Sequence, residues 1–324
     1  MRYPKISIIT PSYNQGDYLE ETINSIISQN YANYELIIID AGSTDGTVDV
    51  IQRYGSYITY WVSEPDRGQS HAIQKGLAHV TGDIVNWINS DDIVAPGAFH
   101  QIASEFNLET HDVLCGYCDY FTDTLDNLDK RNERMGIFPT VGDILLACHI
   151  NQPSTFFKAS IFKQLGIDEQ FHYTMDVDLW YRYLLKAGHS RVHLSDKLLT
   201  YFRLHGASKT VADHLKFEGD RSKVYYNVML SLGQPPALVG FMGLSIPDFR
   251  IFKPTRYQVG ISVTEAQKFI RAYAWLAVQY YNEKHDYSAA RECLQVARRY
   301  GQPLSLTVLR QLVKHYLIPT ALLR

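Results

Sequence analysis

The 324-residue sequence predicts an α/β fold: a mostly parallel sheet flanked by helices, followed by a mainly helical C-terminal region. Three observations predict it. Four apolar runs of strand length alternate with helix-period segments over the first ninety residues. Acidic residues cluster directly after those runs. From about Ser208 onward long helical patterns replace the alternation.

Taken in order, KISIIT at 5–10 is a continuous apolar run, as expected of a strand buried on both faces. PSYNQGD forms a turn. A helix follows over 18–29, with Leu19, Ile23, Ile26 and Ile27 on one face and Asp17 placed to cap it. YELIIID at 34–40 is the second strand, and AGSTDGT leads into a short helix over 47–54. ITYWVSE at 58–64 is the third strand, DRGQS a turn, and 70–80 a helix. DIVNWIN at 83–89 is the fourth strand. Strands joined by helices in this way pair parallel through right-handed crossovers. Ligands of such sheets bind beyond the carboxyl ends of the strands.

The polar clusters fall at those ends. Pro11 and Tyr13 follow the first strand, Asp40 and Asp45 the second, Glu64 and Asp66 the third, and Asp91 and Asp92 the fourth. A single loop aspartate is usually a cap or turn former. Four successive strands ending this way point to a ligand site. Residues 112–205 read as mixed sheet and helix. FHYTMDVDLWYRYLLKAG is a strand-to-helix passage with Leu179, Tyr183 and Leu184 facing inward, and LLTYFRLHGASKT a final strand entering a loop. The predicted domains are 1–210 and 211–324, with the boundary near 208–215. TEAQKFIRAYAWLAVQYYNEK and YSAARECLQVARRYG form one helical hairpin, and a single unit does not make a repeat array.

Composition excludes several function classes. A formal charge of -3 argues against a broad grip on nucleic acid. Four scattered cysteines give no disulfide framework and fit a reducing compartment. Cys115 and Cys118 form a CxxC, but on a strand the two thiols point to opposite faces, and no second pair completes a zinc site. The N-terminus has no cleavable signal pattern, and no apolar run approaches the roughly 18–20 residues that span a bilayer. The expected location is the cytoplasm. LVKHYLIPTALLR at the end is apolar with basic residues, so either a packed helix or a peripheral membrane contact is open there; a homodimer is a further expectation. No GxGxxG follows the first strand and no GxxxxGK occurs, which removes the dinucleotide and P-loop phosphate cradles.

PKISIITPSYNQGDYLEETINSIISQNYANYELIIIDAGSTDGT and SEPDRGQSHAIQKGLAHVTGDIVNWINSDDIVAPGAF resemble family 2 glycosyltransferases with the GT-A fold. NQPSTFF at 151–157, MDVDLW at 175–180 and FRLHGASKT at 202–210 extend the likeness over about the first two-thirds of the chain. The resemblance implies an inverting enzyme that moves a sugar from a nucleoside-diphosphate sugar, UDP-sugars first among donors, onto a hydroxyl of a saccharide or lipid-linked acceptor. It implies a divalent ion, Mn²⁺ or Mg²⁺, at Asp91 and Asp92 with His205 completing the shell. Hard cations prefer carboxylate oxygens, and imidazole favours Mn²⁺. Asp92 is expected to hold the ion and Asp91 to contact ribose or metal, because Asn89 stands where the family often has Asp. Pro11, Tyr13, Asp40, Asp45 and Asp66 form the nucleotide end by the same resemblance, with Tyr13 stacking on the base. Arg67 and Lys75 either meet the diphosphate or are solvated. Asp176 matches the family's general base, with Asp178 second or else a cap for the following helix; Trp180 packs on the acceptor or in the core. The competing readings are a silent nucleotide-sugar-binding module and a metal-dependent nucleotidyltransferase, which would release pyrophosphate.

Overall fold

The computed structural model describes residues 3–206 and 214–317. Within it the chain forms two compact units. The first comprises the chain up to Gly136, then His149–Trp180 and His189–Phe217; the second comprises Ile137–Cys148, Tyr181–Gly188 and the chain from Glu218 onward. The expected boundary near 208–215 falls largely on residues outside the described ones, as do GASKT beyond Gly206 and the end of the terminal segment after Leu317.

The first unit is built on one mixed sheet. Its strands are β1 (Ile6–Ser12), β2 (Tyr34–Asp40), β3 (Tyr60–Ser63), β4 (Ile84–Trp87), β5 (Ile93–Val94), β6 (Val113–Thr122), β7 (Leu128–Glu133), β8 (Thr155–Lys158) and β9 (Val192–Leu204). The order is β3-β2-β1-β4-β8-β6-β9-β5, with β7 paired to β6. The four predicted strands pair parallel, as expected. The short strand β8 then enters antiparallel between β4 and β6, so the sheet is mixed. Because β8 opposes both neighbours, β6 and its parallel partner β9 run in the same sense as β4. The carboxyl ends of β1, β2, β3, β4, β6 and β9 therefore share one edge.

Burial explains the run-like strands: every residue of β1 and β4 is buried. On one face, Ile6, Ile8, Leu36 and Ile38 pack with Leu19, Ile23 and Ile26 of α1 (Gly16–Ile27) and Val50 and Ile51 of α2 (Thr47–Arg53). Phe99 and Ile102 of α4 (Ala98–Glu105) close the same core. On the other face α3 (Gln69–Leu77) lies so close to β1 that a Cβ at Gly76 would sit 2.5 Å from the Ile9 side chain. Only glycine permits that approach. At the opposite edge of the sheet, buried Glu35 on β2 accepts hydrogen bonds from Ser7, Thr81, Gly82 and an ion pair from Lys5 at 2.6 Å. Burial acts to raise its pKa, but these donors outweigh it and hold the carboxyl at about 2.

The CxxC lies on β6 as read from the sequence. Cys115 and Cys118 are both fully buried and free, and burial pushes both thiols up to about 12. After β8 comes α6 (Ala159–Leu165), and the helix α7 (Met175–Ala187) begins at Met175, preceded by a turn in which the Phe171 N–H donates to the Asp168 carbonyl, not by a strand. Its residues Leu179 to Tyr181 and Tyr183 to Leu185 are all buried, a wider buried band than the predicted inward face. Asp178 is therefore inside the first turn instead of capping it; it is fully buried and its N–H donates to the Thr174 carbonyl.

In the second unit, α5 (Val141–Ala147) is capped by Thr140, whose hydroxyl accepts from the Asp143 N–H, and Asp143 pairs with Lys268 at 2.8 Å. α8 (His214–Ser231), mostly in this unit, and α9 (Pro236–Gly243) precede the predicted hairpin. That hairpin is α10 (Gln267–Glu283) and α11 (Tyr287–Arg299), joined by a turn that ends at Asp286, whose side chain caps α11. Phe269, Ile270, Ala274, Ala277 and Val278 on one helix and Ala290, Cys293, Leu294 and Ala297 on the other are buried where the two helices pack, small residues beside large ones. α12 (Leu306–Leu312) follows. Among the described residues, no helix is long and apolar enough to cross a membrane.

Candidate functional site

The site occupies the sheet edge where the carboxyl ends of β1, β2, β4, β6 and β9 meet. The turn after β4 carries Asn89-Ser90-Asp91-Asp92, and the end of β9 carries Arg203, with His205 directly beyond it. His205 Nε2 lies 2.9 Å from Asp91 Oδ2. Both side chains keep some solvent contact, with 12% and 19% exposed. An imidazole and a carboxylate side by side at an open edge offer one nitrogen and one or two oxygens to a cation. The remaining coordination positions are then left for phosphate oxygens.

Asp92 has a different environment. It is 1% exposed, one carboxylate oxygen accepts the Arg203 backbone N–H at 3.2 Å, and the other accepts Asn89 Nδ2 at 3.1 Å. Burial and the adjacent Asp91 carboxylate push its carboxyl well above the usual range. Asn89 in turn accepts from Gln69 Nε2 at 2.7 Å, so the turn is tied to α3 as well as to β9. Among the described residues, no three His, Cys, Asp or Glu side chains gather into a metal cage. The expected trio of Asp91, Asp92 and His205 thus resolves into a facing pair and one inward carboxylate.

The nucleotide end divides the same way. Asp40 is fully buried; its oxygens accept from the Gly42 and Ser43 N–H groups at 3.1 and 2.9 Å and from the Ser43 and Ser63 hydroxyls. Asp45 accepts from the Gly16 N–H at 3.0 Å and from both the N–H and hydroxyl of Thr47. Burial works against its ionisation, yet these hydrogen bonds prevail and hold its pKa below the ordinary value. Both residues lock the loops that enter α1 and α2. Pro11 is buried inside β1, in register with Ile39, whereas Tyr13 just beyond it is 61% exposed with its ring open to solvent. Asp66 accepts the Gly68 N–H at 2.7 Å through Oδ1, a turn that Gly68 makes at φ +106°, while its buried Oδ2 has no partner among the described residues. Arg67 and Lys75 are both engaged, with Glu169 and Glu64.

Asp176, at the start of α7, lines a small cavity with Trp87, Met135, Ile150, Gln152, Thr155, Phe157, Leu179 and Trp180. Trp87 ends β4 and Thr155 begins β8, so the cavity lies at the same sheet edge. Gln152 is fixed by donating to Asn86 Oδ1 and the Trp87 carbonyl at 3.1 and 2.7 Å. The Asp176 carboxylate accepts the neighbouring Val177 N–H at 2.9 Å. Burial against this largely apolar wall raises its pKa to about 6, with only backbone hydrogen bonds opposing. A carboxylate so placed is a stronger proton acceptor than a solvated one, yet it is still ionised at neutral pH.

Arg203, Tyr18 and Gln152 are the site residues that the motif reading passed over. Arg203 was within reach of it: strand alternation puts positions 203 and 205 on one side, so an arginine two residues before a candidate ligand was a signal. Tyr18 carried none, being one of many tyrosines at a helix start.

Residues 7–167 match the family described as glycosyl transferase family 2. The chain belongs to glycosyltransferase family 2. A glycosyltransferase from Rickettsia typhi is 32% identical over 219 residues, 64% of this chain and 66% of that relative; several other rickettsial relatives are matched over about a third of their length. A Bacillus subtilis glycosyltransferase named for teichuronic acid biosynthesis, TuaG, is 39% identical over 94 residues, 28% of this chain and 36% of its own. Among solved structures, S. aureus TarS 1-349 in complex with UDP-GlcNAc superimposes with a TM-score of 0.54 at 15% identity, covering 91% of this chain and 90% of that one. The mannosyltransferase PcManGT of Pyrobaculum calidifontis, in complex with GDP-Man and Mn²⁺, gives 0.53 at 15% identity, covering 97% and 80%. At these identities the likeness concerns the fold, which is the GT-A type expected from the sequence.

Proposed function

We propose that this family 2 member is an inverting glycosyltransferase that moves a sugar from a nucleoside-diphosphate sugar to a hydroxyl of a saccharide or lipid-linked acceptor. The observation that carries the reading is the pairing of two chemistries on one sheet edge. The Asp91–His205 pair keeps solvent contact there, and Asp176 lies in a cavity on the same edge with its carboxyl raised to about 6. Asp176 removes the acceptor proton as the acceptor oxygen bonds the anomeric carbon. The bond to the diphosphate breaks, and its electron pair leaves with the nucleoside diphosphate. One displacement of this kind turns an α-linked donor into a β-linked product and needs no covalent nucleophile. The walls of Trp87, Trp180 and Phe157 lower the polarity around the base.

Asp91 and His205 fit a divalent ion, Mn²⁺ before Mg²⁺ because one donor is an imidazole. When bound, the ion supplies positive charge against the leaving diphosphate. Asp92 holds the turn from inside, which transfers the ligand role first expected of it to Asp91. Tyr13 and the unpartnered Asp66 Oδ2 are the groups assigned to base and ribose, and Asp40, Asp45 and Pro11 shape the loops that present them.

Calorimetric titration of UDP, GDP and thymidine diphosphate, with Mn²⁺ and with chelator, tests the reading. One diphosphate should bind at least about tenfold more tightly with metal, and Asp91→Ala should remove that gain. Turnover assays on the matching sugar nucleotide should release nucleoside diphosphate. Release of pyrophosphate would assign the chain to nucleotidyl transfer instead, and absence of diphosphate binding under both conditions would reject a donor site here.

A further inference from the structure

The glycosyltransferase reading assigns Arg203 no role, yet it is among the largest fully buried side chains, at 1% exposure. A buried guanidinium is costly unless its donors are met. Its Nε donates to the Asp91 carbonyl at 3.0 Å, Nη1 to the Asp123 carbonyl at 2.5 Å, and Nη2 to the Glu21 carboxylate. Its plane lies between the rings of Tyr18 and Phe121, 4.8 and 4.4 Å from their centroids. Its backbone N–H holds Asp92. Two of these contacts hold the same turn, one at the Asp91 carbonyl and one at the Asp92 carboxylate. Tyr18 links the other member of the pair: its ring packs on His205 at 4.9 Å between centroids.

We propose that Arg203 is a positioning residue: with Tyr18 it sets the spacing of the Asp91 and His205 side chains and so determines how tightly the site takes a divalent cation. This rests on the reading of Asp91 and His205 as the metal pair. Arg203 does not touch the cation. It fixes the backbone of one ligand through a planar fork of N–H groups and the ring of the other through Tyr18. Lysine keeps the charge but has no planar fork, so it cannot hold the Asp91 and Asp123 carbonyls and Glu21 at once. Residues that orient a metal's ligands are typically worth about 10–100-fold in metal affinity.

The test measures Mn²⁺ affinity in the presence of UDP, from the free Mn²⁺ signal in electron paramagnetic resonance. It uses the wild-type chain, Arg203→Lys, Tyr18→Leu and Asp91→Ala, each well below its own melting temperature. A purely structural role for Arg203 would lower melting temperature and leave the affinity of the folded protein alone. The expected result is a loss of about 10–100-fold for Arg203→Lys and a smaller loss for Tyr18→Leu, which keeps the hydrogen bonds but removes the shared ring. If Asp91→Ala weakens Mn²⁺ binding and both other variants stay within about twofold of wild type, positioning by Arg203 is overturned while the metal pair stands. If Asp91→Ala itself has no effect, the metal pair is wrong and this inference goes with it. Should Arg203→Lys fail to fold, Tyr18→Leu alone decides between the first two outcomes.

Discussion

Replacing Asp176 by asparagine should inactivate the protein and stabilise it at the same time. The substitution keeps size and the N–H acceptor oxygen but removes the ionisable group. Turnover should fall by roughly 10²–10⁴-fold, the usual scale for a lost general base, while affinity for the donor's nucleoside diphosphate stays close to wild type. The stability effect follows from the direction of the pKa shift. A carboxyl near 3.9 when unfolded and about 6 when folded binds more protons in the folded state between those values. Its ionisation therefore destabilises the fold, beginning above pH ~4 and complete above pH ~6. The full difference is at most about 3 kcal/mol at pH 7.5, and ~1–2 kcal/mol is expected because the side chain keeps some solvent contact. For a unit of this size that is a rise of about 2–6 °C in melting temperature. The gain should shrink to about half at pH 5, where the unfolded chain is ionised and the folded one is not. Differential scanning fluorimetry of both proteins between pH 5 and 8 reads this, beside nucleoside diphosphate release from the donor. Full turnover in Asp176→Asn would remove it as the base and bring Asp178 forward. A melting temperature that falls, or a gain independent of pH, would show that the carboxyl is not desolvated as the cavity implies.

Other consequences can be checked on the same protein. The wild-type kcat/KM should rise with pH through about 6 and flatten above it, so activity at pH 5 should be about a tenth of the plateau; a flat profile down to pH 5 would exclude a base with a raised pKa. Glu35→Gln should cost about 2–3 kcal/mol at neutral pH without changing kcat. Because the folded pKa of Glu35 is depressed, its contribution is present above pH ~4.3 and is lost as pH falls toward about 2, so urea midpoints of variant and wild type should converge at low pH. A thiol reagent at neutral pH should label partly exposed Cys148 first, while Cys115, Cys118 and Cys293 react only on unfolding; fast labelling of the CxxC pair would contradict their burial.

The parallel half of the sheet was legible because β1, β2 and β4 are buried on both faces and so appear as unbroken apolar runs. β2 falls on the predicted residues 34–40, and the other three strands lie within two residues of their expected ends. β8 was not legible as a strand. Only four residues long, TFFK has too little sequence to show a period, and its antiparallel insertion depends on partners far along the chain. The composition of the second unit was equally hidden, since Ile137–Cys148 and Tyr181–Gly188 join it from within the stretch that carries the motifs. Nothing local marks α5 as belonging with Lys268 rather than with the sheet.

The sheet-edge carboxylates show what a motif can and cannot specify. Sequence places Asp40, Asp45, Asp66, Asp91, Asp92 and Asp176 near a ligand, and all six carry the same functional group. What separates them is how many of their oxygens the protein has already claimed. Asp40, Asp45 and Asp92 each accept hydrogen bonds at both oxygens, from backbone and side-chain donors. Such groups gain little from a ligand, because a new contact must replace a satisfied one. Among the described residues, Asp66 retains an oxygen without a partner, Asp91 meets an imidazole through its side chain, and Asp176 faces a cavity with the Val177 N–H as its donor. A bound ligand can complete these three without displacing an existing backbone tie. Spacing brings acidic residues to the edge, but the donors that claim half of them come partly from near neighbours, Gly42, Ser43, Thr47 and Asn89, and partly from Gly16, Ser63 and Arg203, 23 to 111 positions away in sequence. The division between carboxylates that build the site and carboxylates that serve it is therefore a property of the folded hydrogen-bond network, local turns and tertiary ties together. Arg203→Lys keeps every candidate ligand and the backbone N–H on Asp92 and removes only the side-chain fork on the Asp91 and Asp123 carbonyls, so it isolates what that fork adds to the ties on the carboxylates themselves.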